Sequence, residues 1–359
     1  MLRYGMPYHA ETADRDVGVP LVLEFDVSKE VKRATVAKCY DQIFRDLDSA
    51  EELLGKVSGK PDNRAISSDA CEALRARVYL EMKLYDRAYT AASHLISSGR
   101  YPLEEPQADN FVQMWRHDTS DEFILILPMV RNEETAYYFG DYYGLDSDNH
   151  RYSPEFIPTQ GILDLFSTED LRRAVYFEKE NKRLYYDNTY FTGVSIISKF
   201  KGNPELAYII DDPVYGAIPN NEQMPKIFRI PEQYLIMAEA AYHMGNDALT
   251  PLNALRVSRG LQPIPASVSG IKLFQEIKNE RTRELAFEGF RLFDLRRWGD
   301  PMVRMTPQVD DQGDSNFLAQ QKELLHLNIP AGDHRFIFPI PQNDINVYGK
   351  DNMPQNPGW

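Results

Sequence analysis

Glu280, Glu284 and Glu288 recur at every fourth residue, which places three carboxylates on one face if the segment is helical. Such a stripe is raw material for a metal site or for acid–base chemistry. The same stretch carries Arg281, Arg283, Arg291, Arg296 and Arg297, interleaved with Phe287, Phe290, Leu292, Phe293 and Trp298. Guanidinium groups neutralise the carboxylates, and the large apolar side chains partly desolvate both. The pattern therefore reads as a structural ion-pair network that fixes one charged helix against its neighbours, not as a reaction centre.

Other chemistry is poorly served. The seven histidines (His9, His94, His117, His150, His243, His326 and His334) show no metal-binding spacing and have no cysteine beside them. No nucleophile elbow, P-loop or dinucleotide-binding glycine motif stands in the context it needs. No catalytic residue, metal or cofactor is assigned, and the chain reads as a non-enzyme. Cys39 and Cys71 fall within predicted helices and read as small core residues.

Residues 131–152, RNEETAYYFGDYYGLDSDNHRY, are the best candidate for a ligand site. Tyr137, Tyr138, Phe139, Tyr142, Tyr143 and Tyr152 cluster there among Asn132, Asp141, Asp148, Asn149 and Arg151. Flat rings offer faces for the C–H surface of a sugar, and planar polar groups pair with its hydroxyls. The residues expected to touch a ligand are Tyr137, Tyr138, Tyr142, Tyr143, Asn149 and Arg151. Residue by residue, the plainer alternative is that tyrosines anchor the loop to its scaffold. A second cluster, Tyr185, Tyr186, Tyr190 and Phe191, alternates as a strand does and reads mostly as packing. A glycoside hydrolase remains an alternative. It needs two carboxylates facing across a sugar, such as Asp141 with Asp148.

These residues need elements to hold them. Thr35 looks like a helix N-cap, followed by Val36, Tyr40, Ile43, Phe44, Leu47, Ala50 and Leu54 on one face, with Gly55 as the stop. Further helices are expected over about 69–84 and 86–98, forming a hairpin with alanines at close-packing points. Ile230 to Gly260 repeats the arrangement, with Pro231 in the first turn and Gly245-Asn246 at the reversal. Short strands are expected at 122–127, 183–190 and 194–200. The chain is predicted to be mostly α, with tetratricopeptide-like hairpins over 35–100 and 229–300. Residues 101–228 and 301–359 are expected to be loop-rich excursions within a single domain.

Composition narrows the partners. A formal net charge of −14 argues against nucleic acid and anionic membranes, and favours neutral or cationic ligands or simply solubility. The 21 Tyr and 18 Phe suit either sugar stacking or a helical core. The longest apolar run, residues 123–130, is too short to cross a bilayer. Residues 1–24 lack the basic end and apolar block of a signal peptide.

The stretch NERTRELAFEGFRLFDLRRWG over 279–299 resembles the signature near the C-terminus of SusD/RagB proteins, the surface nutrient-binding lipoproteins of Bacteroidetes-type bacteria. RIPEQYLIMAEA over 229–240 is similar to another family helix. FPIPQNDI over 338–345 with QNPGW over 355–359 is similar to the family ending, and residues 4–22 to a loop after its first helices. The matches lie in order along nearly the whole chain. The resemblance implies a SusD-like helical fold and non-catalytic capture of an oligosaccharide at the outward face of the outer membrane. It also implies delivery to a SusC-type TonB-dependent transporter, with membrane attachment only through a lipid anchor that this sequence does not carry. It implies further that the chain starts downstream of the family's signal peptide, lipidated cysteine and first helices. Peptide capture of the RagB kind and a helical scaffold for protein partners are the other open alternatives.

Overall fold

The computed structural model describes residues 1–26, 28–55, 60–130, 144–146, 151–179, 184–186, 189–206, 210–212, 216–218, 220–313 and 327–359. The chain is mostly α. Its helices are α1 (Val36–Leu54), α2 (Ser68–Glu81), α3 (Tyr85–Ser97), α4 (Ala108–Arg116), α5 (Gln160–Leu163), α6 (Arg173–Tyr176), α7 (Ile230–Met244), α8 (Leu249–Ser258), α9 (Gly270–Glu284), α10 (Arg291–Trp298) and α11 (Gln342–Tyr348). Among the described residues no helix is long and apolar enough to cross a membrane.

The caps act where the sequence places them. Thr35 accepts a hydrogen bond from the Lys38 amide at 3.4 Å, and α1 runs from there to Gly55. Ser67 does the same for α2 through the Ala70 amide at 3.3 Å. α2 ends at Glu81, short of the expected Leu84, because Lys83 takes a φ of 59° and turns the chain into α3. Pro231 sits in the first turn of α7. Gly245, at φ 72°, takes the left-handed cap that any side chain would strain, and α8 then folds back.

The two hairpins, α2–α3 and α7–α8, are far apart in sequence but pack side by side through α3 and α7. Their seam consists of Ala76, Ala88, Ala91, Ala92 and Ala240 with Leu80 and Ile236. Small side chains let the helix axes approach closely. On the other side of α7, Leu235, Ala238 and Ala241 bury against Leu252, Leu255 and Ile277. Cys39 and Cys71 are buried free thiols on α1 and α2.

The irregular half has its own core of Phe111, Trp115, Phe123, Phe166, Tyr176, Phe177 and Phe200. Rings meet edge to face there, as Trp115 and Tyr176 do at 5.8 Å and 87°. Much of the aromatic load is thus structural. Strands are short: β1 (Val17–Pro20), β2 (Arg33–Thr35), β3 (Phe123–Ile126), β4 (Leu145–Asp146), β5 (Arg151–Tyr152), β6 (Phe177–Glu178), β7 (Leu184–Tyr186), β8 (Thr189–Phe191), β9 (Ile196–Ile197), β10 (Ile210–Asp212), β11 (Gly216–Ile218), β12 (Lys226–Arg229), β13 (Met302–Val303) and β14 (Asn328–Ile329). β12 runs directly into α7 and pairs with β3, which ties the irregular half to the helical frame.

Two strand expectations change. The stretch 183–190 is not one strand but the antiparallel pair β7–β8, with Tyr185 opposite Tyr190. Of 194–200, only β9 is a strand, and it pairs with β6.

The charged segment is also not a single helix. α9 stops at Glu284, and residues 285–290 turn before α10 begins. Phe287 has a φ of 65° and Gly289 one of 84°. A left-handed phenylalanine is costly. Its ring is held 5.9 Å from that of Phe177, at 84°, in the core of the irregular half. Tertiary packing therefore overrides the helical periodicity here.

The N-terminal segment is clamped to the C-terminal one by Arg33, which is 9% exposed. Its guanidinium donates to the carbonyls of Gly18 (2.8 Å), Pro354 (2.7 Å) and Tyr4 (2.9 Å) and to Asn356 Oδ1 (2.9 Å). Arg33→Ala is expected to lower stability by about 2 kcal/mol, because several buried carbonyls lose a charged donor at once. The urea midpoint measures it; an unchanged midpoint would show that these bonds do not hold the two ends together.

Candidate functional site

The carboxylate stripe becomes a buried network whose cations come mostly from elsewhere in the chain. Glu284 accepts from Arg229 (2.6 Å), Arg259 (2.9 Å) and Arg172 (2.9 Å). Glu280 is met by Arg172 (2.7 Å), Arg283 (2.6 Å) and Arg256 (3.1 Å). Glu288 lies beyond the end of α9 yet joins the same network through Arg229 (2.6 Å) and Lys199 (2.7 Å). Arg259 also pairs with Glu122 (2.7 Å), and Arg172 with Asp170 (2.7 Å).

Of the interspersed arginines, only Arg283 neutralises a carboxylate of the stripe. Arg281 and Arg297 turn to Asp294, and Arg297 also to Glu239. Arg296 donates to the Leu2 carbonyl. Burial pushes the Glu284 carboxyl upward, but Arg259, Arg229 and Arg172 outweigh it and hold it well below the usual range. Burial lowers the Lys199 ammonium to about 8, with Glu288 opposing only in part. The network locks α9 to the irregular half and commits its carboxylates to guanidinium and ammonium partners.

The predicted ligand residues divide. Tyr137, Tyr138, Tyr142, Tyr143 and Asn149 lie outside the described residues, as do Asp141 and Asp148. Arg151 lies on β5, but its side chain is outside what the structure describes. Tyr152 is 1% exposed and packs with Leu184, Phe191, Val194 and Ile196, so it is a core residue of this sheet. β5 pairs with β4 on one side and β7 on the other. β4 and β5 thus bracket the last part of the aromatic loop.

The second aromatic cluster separates by face. Leu184 and Phe191 point into the core, whereas the Tyr185 and Tyr190 rings pair on the opposite face at 5.0 Å and 54°. Tyr190 is 51% exposed. The alternation noted in the sequence was the signal for this, but a one-strand reading hid which rings share a face.

Two clefts flank the 285–290 turn. One, of about 410 Å³, is lined by Arg77, Trp115, Lys226 and Glu288 among others. Its charges are committed: Arg77 to Glu232 at 2.6 Å, Lys226 to Asp118 in a close contact, and Glu288 within the network. The other, of about 940 Å³, opens between that turn, residues 157–162 and residues 300–305. Ile157 lines this cleft and also packs under the Tyr185–Tyr190 hairpin. Gln308 clips the region together, bonding the Pro158 carbonyl (2.6 Å) and both the amide (2.8 Å) and the carbonyl (3.0 Å) of Ser195. The larger cleft was not legible in the sequence, because residues 157–162 form one wall and residues 275–305, more than a hundred positions on, form the rest.

Comparison with known proteins gives consistent relatives. The family described as "SusD family" matches residues 137–359, and that described as "Starch-binding associating with outer membrane" matches residues 1–80. Over 147 residues the chain is 30% identical to the starch-binding protein SusD of Bacteroides thetaiotaomicron, a match covering 41% of this chain and 23% of that protein. The chain thus matches about a quarter of the length of that curated relative. A crystal structure of a SusD superfamily protein from Bacteroides thetaiotaomicron superposes with a TM-score of 0.71 at 26% identity, covering 99% of this chain and 74% of that one. Another, from Bacteroides vulgatus, gives 0.71 at 23% identity, covering 100% and 73%, and shares the fold.

Proposed function

The chain belongs to the SusD family, and on that premise we propose that it captures glycans without catalysis at the outer surface of the outer membrane and passes them to a SusC-type TonB-dependent transporter. The starch-binding relative and the outer-membrane description of the family that matches residues 1–80 support the ligand class and the location. The observation that carries the reading onto this molecule is the paired rings of Tyr185 and the exposed Tyr190, on the face of the β7–β8 strand pair opposite the one anchored in the core. Adjacent rings on a fixed strand pair offer a preorganised stacking surface, and little entropy is lost when a sugar ring lands on it.

In this reading the aromatic loop adds Tyr137, Tyr138, Tyr142 and Tyr143 as further faces, with Asn149 and Arg151 pairing to hydroxyls. The whole chain acts as one domain in which the helical hairpins serve as a rigid frame. The described parts of the aromatic loop, β4 and β5, lie in the same four-stranded sheet as β7 and β8.

Affinity electrophoresis through gels containing different polysaccharides tests this. Retardation by one glycan is expected, and Tyr190→Ala is expected to weaken it about tenfold, the loss of one stacked ring. Tyr142→Ala or Tyr143→Ala should weaken it similarly. Passage through every gel without retardation, together with no co-purification of a TonB-dependent transporter, would sink the proposal.

A further inference from the structure

The cleft of about 940 Å³ is cationic, although the chain as a whole carries a net charge of −14. Its wall holds Lys278, Arg281, Arg291 and Arg304 against Asp294 and Asp300. The two carboxylates are already engaged. Asp300 accepts from Lys278 at 2.6 Å, and Asp294 accepts from Arg281 Nε and Arg297 Nη2, each at 2.8 Å.

What remains is positive. Arg291 is exposed, and its Nη1 donates to Thr282 Oγ1 at 2.9 Å. Its guanidinium lies 5.7 Å from the Trp298 ring. Among the described residues neither Arg291 nor Arg304 has a carboxylate within ion-pair distance, although Asp294 and Asp300 lie near enough to Arg291 to favour its charge in part. Arg281 is 2% exposed, and its Nη1 has no acceptor among the described residues. An unsatisfied buried guanidinium nitrogen is costly in a native fold and calls for an acceptor. α10 also begins at this cleft, with no side-chain cap at Phe290, so the amides of its first turn add to the same field.

We infer that this cleft takes the oxyanion of an acidic sugar, a uronate carboxylate or a sulfate ester, and that the captured glycan is therefore anionic. The inference rests on the glycan capture proposed above and gives that capture its ligand class. A cationic cleft in an otherwise acidic surface concentrates the anionic ligand at one place and repels it elsewhere. The apolar part of the wall, Ile157, Pro158, Met302 and Met305, offers a face for the sugar ring while the arginines hold its charge.

Calorimetric titration of the full chain tests it with matched pairs: trigalacturonate against its methyl ester, and a sulfated galactan oligosaccharide against the desulfated form. At least one charged member is expected to bind about tenfold more tightly than its neutral twin, an advantage that shrinks as salt rises. Arg291→Gln, a change at an exposed side chain, is expected to remove that advantage, so that the charged and neutral twins bind the variant alike. Arg304→Gln serves as the second variant and is expected to reduce it. Equal affinity for charged and neutral twins would overturn the anionic assignment while glycan capture stands. The same holds if the advantage survives when Arg291→Gln and Arg304→Gln are combined in one chain. Tighter binding of a peptide with a free terminal carboxylate than of any sugar, dependent on Arg291, would overturn both.

Discussion

Replacing Glu284 with Gln is expected to cost about 3–5 kcal/mol of stability, the loss typical when one partner of a buried ion network is removed. Glu284 is 1% exposed and is the shared acceptor of Arg172, Arg229 and Arg259. These come from α6 and its approach, from β12 and from the end of α8. A neutral amide keeps the shape but leaves three guanidinium groups converging without their common counter-charge. Arg172 and Arg259 retain Asp170 and Glu122, which limits the loss. Among the described residues Arg229 retains Glu288 as its one counter-charge, with the Glu284 carbonyl as a further acceptor. The surface pair Lys60–Asp121 provides the contrast, since Asp121→Asn should change stability by less than about 1 kcal/mol. Chemical denaturation of the two variants reads the difference directly. A Glu284→Gln variant within 1 kcal/mol of the parent would mean that the network is not what joins α9 to the irregular half.

Acid should unfold the protein through the same groups. Burial raises the Glu280 carboxyl, but Arg172, Arg283 and Arg256 outweigh it and bring it from 4.5 down to about 2. A carboxyl that holds its proton less tightly in the fold than in the unfolded chain adds stability. That stability is complete above pH 4.5 and disappears as the pH falls towards 2. A shift of this size corresponds to about 3 kcal/mol. Glu284 shifts in the same direction. Glu81, pushed upward by burial, works the other way and softens the slope. Urea midpoints between pH 7 and 2.5 are expected to stay level down to about pH 5 and then fall steeply. Glu280→Gln should start lower and fall less. A parent midpoint that is flat to pH 2.5 would contradict the assignment of these carboxylates as ionised network members.

Some of this was legible residue by residue. The Thr35 cap, the stops at Gly55 and Gly245, and the close-packing alanines within the first hairpin were all readable, because capping and helical periodicity involve residues a few positions apart. So was the structural character of the Glu280–Glu284–Glu288 stripe, since alternating charge among large apolar residues leaves few other outcomes. The ordered motifs carried the family. Composition pointed to neutral or cationic ligands or simply to solubility, and a net charge averages over the surface without resolving any single cleft.

The tertiary structure alone decided who pairs with whom. Nothing local to Glu284 indicates that its cations are Arg172, Arg229 and Arg259 rather than Arg281 or Arg291. Nor does local sequence show that α9 must break at Glu284 so that Phe287 can pack against Phe177. The pairing of the Tyr185 and Tyr190 rings depends on two strands meeting antiparallel, and the placing of Arg291 beside Lys278 and Arg281 on how α9 and α10 pack. The physical reason is common to all of them. Backbone geometry repeats over short distances along the chain and leaves its mark in the spacing of residue types. Charge pairing and cleft formation depend on groups that meet only after distant segments have packed.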